Sequence, residues 1–120
     1  MPGAPFVLAL GEQHHLRRGT TYVVHQALQH SRQLRVVTFF STAAMQPHHL
    51  MEASVAVVFC DGMFFTIVGP HLREQRPTLP VIVVCPEAFS IPVNDGVTYL
   101  PGCTDYSVLH EALYKVMGVQ

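Results

Sequence analysis

Asp61 stands where chemistry is expected in this chain, because it directly follows the run of residues 54–60. That run is almost continuously apolar and rich in β-branched residues, which favours a strand buried on both faces of a parallel sheet. Asp61 would then lie at the carboxyl edge of the sheet, where ligands and reactive groups collect in open α/β folds. Its carboxylate could be a ligand or partner-binding group, or it could cap a turn with Gly62.

Three cysteines, Cys60, Cys85 and Cys103, fall near the ends of successive predicted strands. If His14 and His15 lie on the same rim, a cluster of thiols and imidazoles could bind zinc or respond to redox state. The odd number of cysteines and the lack of a Cys-x-x-Cys pair favour reduced residues that fill the core. Both interpretations predict a reducing, cytoplasmic setting.

Two histidine pairs, His14-His15 and His48-His49, suggest a metal site at first sight. Adjacent residues on a helix do not share a face, so neither pair is a natural two-ligand site. We therefore predict that these imidazoles are solvated.

The composition predicts one well-packed domain over residues 1–120. The hydrophobic fraction is 49% and the charged fraction 12%, which argues against disorder. The formal net charge is −1, Lys115 is the single lysine, and no basic stripe is present. Direct nucleic-acid binding is therefore not expected. No apolar run approaches the ~20 residues that span a membrane. The chain stops just after its last predicted helix, which favours a domain excised from a longer protein.

Hydrophobic periodicity predicts alternating strands and helices. The predicted strands are residues 5–10, 34–40, 54–60, 78–85 and 97–100, and the predicted helices are 16–30, 42–53 and 106–117. Pro47 suits the start of a helix, Asp105 can cap the last helix, and Gly118 can end it. The predicted buried face of the first helix comprises Leu16, Val23, Val24, Ala27 and Leu28, and that of the last helix comprises Val108, Leu109, Ala112, Leu113 and Val116.

Residues 63–68 allow two interpretations. Asp61-Gly62 between apolar runs is a hairpin signal, which would make this segment a strand. A parallel sheet needs a crossover between its third and fourth strands, which favours a helix broken or kinked at Pro70. We favour the helix.

Three stretches of the chain resemble the receiver domain of bacterial response regulators, and the resemblance covers nearly the whole sequence. Residues 8–18 look like the first strand and its acidic pair, with Glu12 on one of the magnesium-holding acids and Gly11 replacing the other. Residues 55–61 place Asp61 on the phospho-acceptor. The resemblance implies a flavodoxin-like three-layer sandwich with a five-stranded, mostly parallel sheet in the order 2-1-3-4-5.

The third stretch, residues 99–105, matches the family's segment after its fifth strand. Tyr99 falls on the aromatic switch position, Gly102 replaces the lysine, and Cys103 replaces the proline that follows. Cys85 takes the place of the threonine or serine after the fourth strand. The segment 86–96 is short and holds two prolines, so the helix between the fourth and fifth strands is expected to be reduced or absent.

These departures predict weak Mg²⁺ binding by Glu12 and Asp61, and inefficient phosphorylation of Asp61, since phosphoryl transfer needs several acidic ligands and a cation. The resulting hypothesis is a non-enzymatic, degenerate receiver-like domain that signals by homodimerisation or by control of a protein partner, as a module of a transcriptional regulator or sensor kinase. A nucleotide second messenger or a constitutive partner would set its state. The expected contact surface comprises Tyr99, Val108, His110, Leu113 and Tyr114.

Two alternatives remain open. The first is a working receiver that accepts phosphate at Asp61. The second is a small flavodoxin-fold enzyme or phosphocarrier that uses Cys60 or Cys85 as a nucleophile.

Overall fold

The computed structural model describes residues 5–59, 62–85, 97–101 and 105–118. Five strands form one sheet in the order β2-β1-β3-β4-β5, and all neighbouring strands are parallel. The strands are β1 (Phe6–Gly11), β2 (Arg35–Phe39), β3 (Val55–Phe59), β4 (Val81–Cys85) and β5 (Val97–Pro101). The flavodoxin-like fold and its strand order, predicted from the sequence, are confirmed. The predicted loss of a helix between β4 and β5 concerns segment 86–96, which lies outside the described residues.

Helices connect the strands and cover both faces of the sheet. They are α1 (Gln13–Leu16), α2 (Gly19–Gln29), a 3₁₀ turn (Thr42–Ala44), α3 (Pro47–Glu52), α4 (Gly62–Gln75) and α5 (Tyr106–Met117). Within the parts of the chain that the structure describes, no helix has both the length and the apolar character needed to cross a membrane.

Alternating side chains of each strand enter two separate cores, one on each face of the sheet. On β1, Val7 and Ala9 join the core under α2 and α5, whereas Leu8 and Leu10 join the core under α3 and α4. Every residue of β1 and β3 is buried. Because both faces are covered, the central strands are apolar at every position, as the sequence predicts.

The first predicted helix is divided into two. Helix α1 ends at Leu16, and α2 begins at Gly19, whose φ of +52° is costly for residues with a side chain. The predicted buried face also needs correction, because Val23 is 60% exposed. Thr21 and His25 are buried in addition to Val24 and Leu28. This i, i+3, i+4, i+7 stripe places two polar side chains against the sheet.

The second predicted helix is shorter than expected, with a 3₁₀ turn before α3 and Pro47 as the first residue of α3. The helix interpretation of residues 63–68 is confirmed, because they belong to α4. This helix continues five residues past Pro70, so it is not broken there. Val68 and Leu72 on either side of the proline are each 1% exposed, and their burial favours an uninterrupted helix.

Helix α5 has the predicted ends. The Asp105 side chain accepts a hydrogen bond from the Val108 amide at 3.2 Å, and Gly118 adopts a φ of +71° at the carboxyl end. Leu109 and Leu113 are fully buried, but Val108 is 42% exposed and does not belong to the buried face.

Candidate functional site

The strand register brings the carboxyl ends of four strands to one edge of the sheet. Gly11 pairs with Phe59, Phe59 pairs with Val84, and Cys85 pairs with Pro101. In open parallel sheets this edge carries ligand sites. Of the residues predicted to act here, Cys60, Asp61, Gly102 and Cys103 lie outside the described residues.

Glu12, the predicted magnesium ligand, follows β1 directly and precedes the first turn of α1. Its side chain is 45% exposed, and its Oε2 lies 3.9 Å from Nδ1 of His14. At that distance and exposure, the pair attracts only weakly and only when the imidazole is protonated. Glu12 is therefore a carboxylate at the rim of the edge without a strong competing partner among the described residues.

Gly11, which the predicted resemblance aligns with the second acid of receiver domains, is in very close contact with its surroundings. A Cβ atom at this position would lie 2.8 Å from the carbonyl oxygen of Phe59 and 3.0 Å from the Leu16 side chain. The carbonyl belongs to the neighbouring strand and cannot move aside without disturbing the sheet. Any side chain at position 11, including a carboxylate, requires a shift of the backbone. Of the two predicted magnesium ligands, only Glu12 lies among the described residues, so weak Mg²⁺ binding stays a prediction.

The predicted thiol and imidazole cluster is only partly described. His14 is exposed, while His15 is partly buried and its Nε2 has no hydrogen-bond partner among the described residues. In the described ranges, no group of three His, Cys, Asp or Glu side chains is placed to hold a metal ion. The zinc or redox role of Cys60, Cys85 and Cys103 stays a prediction.

One histidine of the second pair, His49, stabilises the local structure. Nδ1 of His49 accepts a hydrogen bond from the Gln46 amide at 2.9 Å, which caps the start of α3. Its ring also packs against Phe39, with centroids 4.7 Å apart. His49 is therefore not a freely solvated imidazole, in contrast to the prediction.

A pocket of about 330 Å³ lies beside the carboxyl ends of β1 and β2, under α1 and α2. Its innermost polar group is His25, which is 5% exposed. Nε2 of His25 lies 2.9 Å from Oγ1 of Thr38, and Gln29 Nε2 donates to the same oxygen at 2.9 Å. A hydroxyl can donate once and accept twice, so Thr38 can donate to a neutral His25 while accepting from Gln29.

The His25 ring also reaches the edge of the sheet. It packs edge-on against Phe59, with ring centroids 5.5 Å apart and an interplanar angle of 72°. Phe59 is the last residue of β3, two positions before Asp61. The pocket and the predicted phospho-acceptor segment are thus connected through one aromatic contact.

This pocket was not predicted from the sequence. Its partners are far apart in the chain, since Thr38 lies 13 residues after His25. One signal was present, because His25 occupies the same helical stripe as Val24 and Leu28. A histidine on an apolar stripe needs a polar partner in the fold, and only the placement of β2 against α2 shows that the partner is Thr38.

The predicted contact surface does not form one patch. Tyr99 packs on the core under α3 and α4, on the opposite face of the sheet from α5. Leu113 is fully buried, so the surface must be redrawn without it. His110 stacks on Tyr114 with centroids 4.4 Å apart, and the Tyr114 hydroxyl donates to Gln33 Oε1 at 2.7 Å.

Val108 instead belongs to a groove of about 470 Å³ between α5 and β5. The groove is lined by Thr98 and Leu100 from β5 and by Val108, Glu111, Ala112, Lys115 and Val116 from α5. Strand β5 is an edge strand of the sheet, so the groove lies along that edge strand. It combines apolar side chains with one acidic and one basic group.

Comparison of the chain with protein-family models and with curated proteins gives no match. The resemblance to receiver domains therefore stays a prediction, and the fold itself is what the structure establishes.

Substitution of Gly11 by alanine should lower the free energy of unfolding by about 1–3 kcal/mol, because the added methyl group overpacks against the Phe59 carbonyl and Leu16. Chemical denaturation followed by circular dichroism measures this change. Gln13→Ala, at an exposed position two residues away, is the control and should change stability by less than about 0.5 kcal/mol. Equal stability of Gly11→Ala and the unmodified protein would show that the edge has room for a side chain.

Acidification should destabilise the protein through His25. Burial lowers the pKa of its imidazole from the ordinary value of 6.5, because desolvation penalises the charged form. Below about pH 6.5 the unfolded chain takes up this proton more readily than the folded protein does. His25 therefore does not reduce the free energy of unfolding above that pH. The free energy of unfolding decreases as the pH falls toward the lower pKa of the folded state.

Denaturant unfolding between about pH 7.5 and 5 measures this loss. His25→Gln should flatten the dependence, whereas His14→Gln, at a side chain that is 64% exposed, should not. The same slope in His25→Gln and in the unmodified protein would rule out His25 as the source.

Proposed function

We propose that this chain is a degenerate receiver-like signalling domain that acts by protein–protein contact, without catalysis and without efficient phosphorylation. The confirmed sheet order is compatible with that family. The observation that carries the proposal is the close contact at Gly11, where a Cβ would lie 2.8 Å from the Phe59 carbonyl. The position of the second acid is thus occupied by neighbouring atoms, so the missing carboxylate cannot be regained by a simple substitution.

This contact bears directly on phosphoryl chemistry. Transfer of a phosphoryl group to Asp61 would need Mg²⁺ held by several oxygen ligands and a cation that neutralises the transferred charge. The described residues supply Glu12 alone, and its side chain is half exposed. Position 102 is glycine where the resemblance calls for lysine. We therefore expect a switch that is set by contact with another molecule in the cytoplasm.

The groove between α5 and β5 supports a second copy of this chain as that molecule. Glu111 and Lys115 lie one helical turn apart beside the exposed Val108. In a two-fold symmetric dimer, the same surface of both subunits forms the contact. Glu111 of one subunit can then face Lys115 of the other. The groove can thus be complementary to itself in charge, and most of its other lining residues are apolar.

Titration with Mg²⁺ and beryllofluoride, followed by amide NMR, tests the loss of phosphorylation. We expect no saturable shifts at Glu12 or Tyr99 at millimolar Mg²⁺, because one exposed carboxylate holds the ion weakly. Asp61→Asn is the matched variant. Saturable shifts that require both ligands and vanish in Asp61→Asn would establish a working receiver and overturn this part of the proposal.

Sedimentation velocity tests the dimer. Val108→Asp should weaken self-association by about tenfold or more, because it buries an unpaired charge in the contact. Val23→Asp, at a valine on α2 that is more exposed than Val108, is the control and should have no effect. Glu111→Lys should also weaken the dimer, and adding Lys115→Glu to it should restore association. A monomer at all accessible concentrations would refute the homodimer.

A further inference from the structure

The pocket of about 330 Å³ beside β2 shares no described lining residue with the groove between α5 and β5. It falls in the size range of small-molecule sites. Its lining comes from α1, α2 and the end of β2, so three elements converge on it. A ligand role for this pocket does not depend on the proposed function.

The inner wall of the pocket is polar and fixed in position. The His25 side chain belongs to a residue that is only 5% exposed, and its Nε2 lies 2.9 Å from Oγ1 of Thr38. Gln29 donates to the same hydroxyl oxygen at 2.9 Å. Burying an imidazole costs desolvation free energy that burying a leucine in the same stripe would not. The His25 side chain also lines the cavity. This arrangement is typical of a site that presents polar groups to a bound molecule.

The rim of the pocket carries two large aromatic rings in contact with water. Tyr22 is 47% exposed and Phe40 is 51% exposed, although both line the pocket. Exposed aromatic side chains provide flat surfaces on which a nucleobase or a similar ring can stack. The ligand class that fits this rim therefore contains a flat aromatic ring.

The polar lining around these rings matches a ring with hydrogen-bonding edges and an attached anion. Gln13 and Gln26 offer amide groups that can both donate and accept. Among the described residues that line the pocket, Arg17 is the one Arg, Lys, Asp or Glu. A guanidinium group with no acid among these residues favours a phosphate.

We infer that this pocket binds a nucleotide, with the base against Tyr22 and Phe40, the base edge on the glutamine amides, and the phosphate on Arg17. The His25 ring contacts both the pocket and Phe59, at a centroid distance of 5.5 Å. Occupancy should therefore also be sensed at the end of β3, which precedes Asp61.

Amide NMR of the full chain, titrated with adenosine and guanosine 5′-monophosphates, tests this inference. At least one of the two should produce saturable shifts in the residues that line the pocket and at Phe59. Adenosine, ribose 5-phosphate and inorganic phosphate should each bind roughly tenfold more weakly or worse, because each lacks one of the two recognised parts.

Two pairs of adjacent residues supply matched variants. Arg17→Gln and Tyr22→Ala should each weaken binding by about tenfold, through loss of the charged contact and of the stacking surface. Arg18→Gln and Val23→Ala change neighbouring exposed residues that do not line the pocket, and they should bind as the unmodified protein does. All four positions are exposed, so the variants should fold.

Three results would overturn the inference. The first is the absence of saturable shifts with either nucleotide up to about 1 mM, a concentration that detects even weak specific binding. The second is equal affinity for inorganic phosphate, which would reduce the site to simple anion adsorption. The third is equal loss of binding in Arg17→Gln and Arg18→Gln, which would place the ligand elsewhere.

Discussion

Burial of the parallel sheet on both faces is the constraint on which the rest of this structure depends. The side chains of β1 alternate between two cores, and each core needs its own layer of helices. Helices α1, α2 and α5 cover one face, and α3 and α4 cover the other. After β1 the chain passes to α2 on one face, and after β3 it passes to α4 on the other, so the switch in direction falls between the carboxyl ends of β1 and β3.

Close packing at the carboxyl end of β1 explains why a glycine occupies position 11. The carbonyl of Phe59 and the side chain of Leu16 approach Gly11 so closely that no side chain fits. The short helix α1 starts directly after Glu12 and brings Leu16 back over the strand, where it is 3% exposed. Packing of Leu16 over the strand and exclusion of a side chain at position 11 are thus two consequences of one local arrangement.

The polar stripe of α2 has a different origin. An edge strand such as β2 has only one neighbour in the sheet, so its side chains are less deeply buried than those of β1 and β3. Thr38 can therefore provide a hydroxyl to His25, and the two groups satisfy each other beside a cavity. The pocket differs from an ordinary packing gap because the His25–Thr38 pair and exposed aromatic rings line it.

The sequence alone determined the class of fold, because its signals are local. Continuous apolar runs predict buried parallel strands, Pro47 marks the start of α3, and Asp105 and Gly118 mark the ends of α5. Only the tertiary structure decided which side chains meet. The contact of Gly11 with Phe59 and that of His25 with Thr38 depend on strand register and helix placement. The buried Leu113 and the exposed Val108 were likewise distinguished by packing, since helical periodicity assigned both to one face.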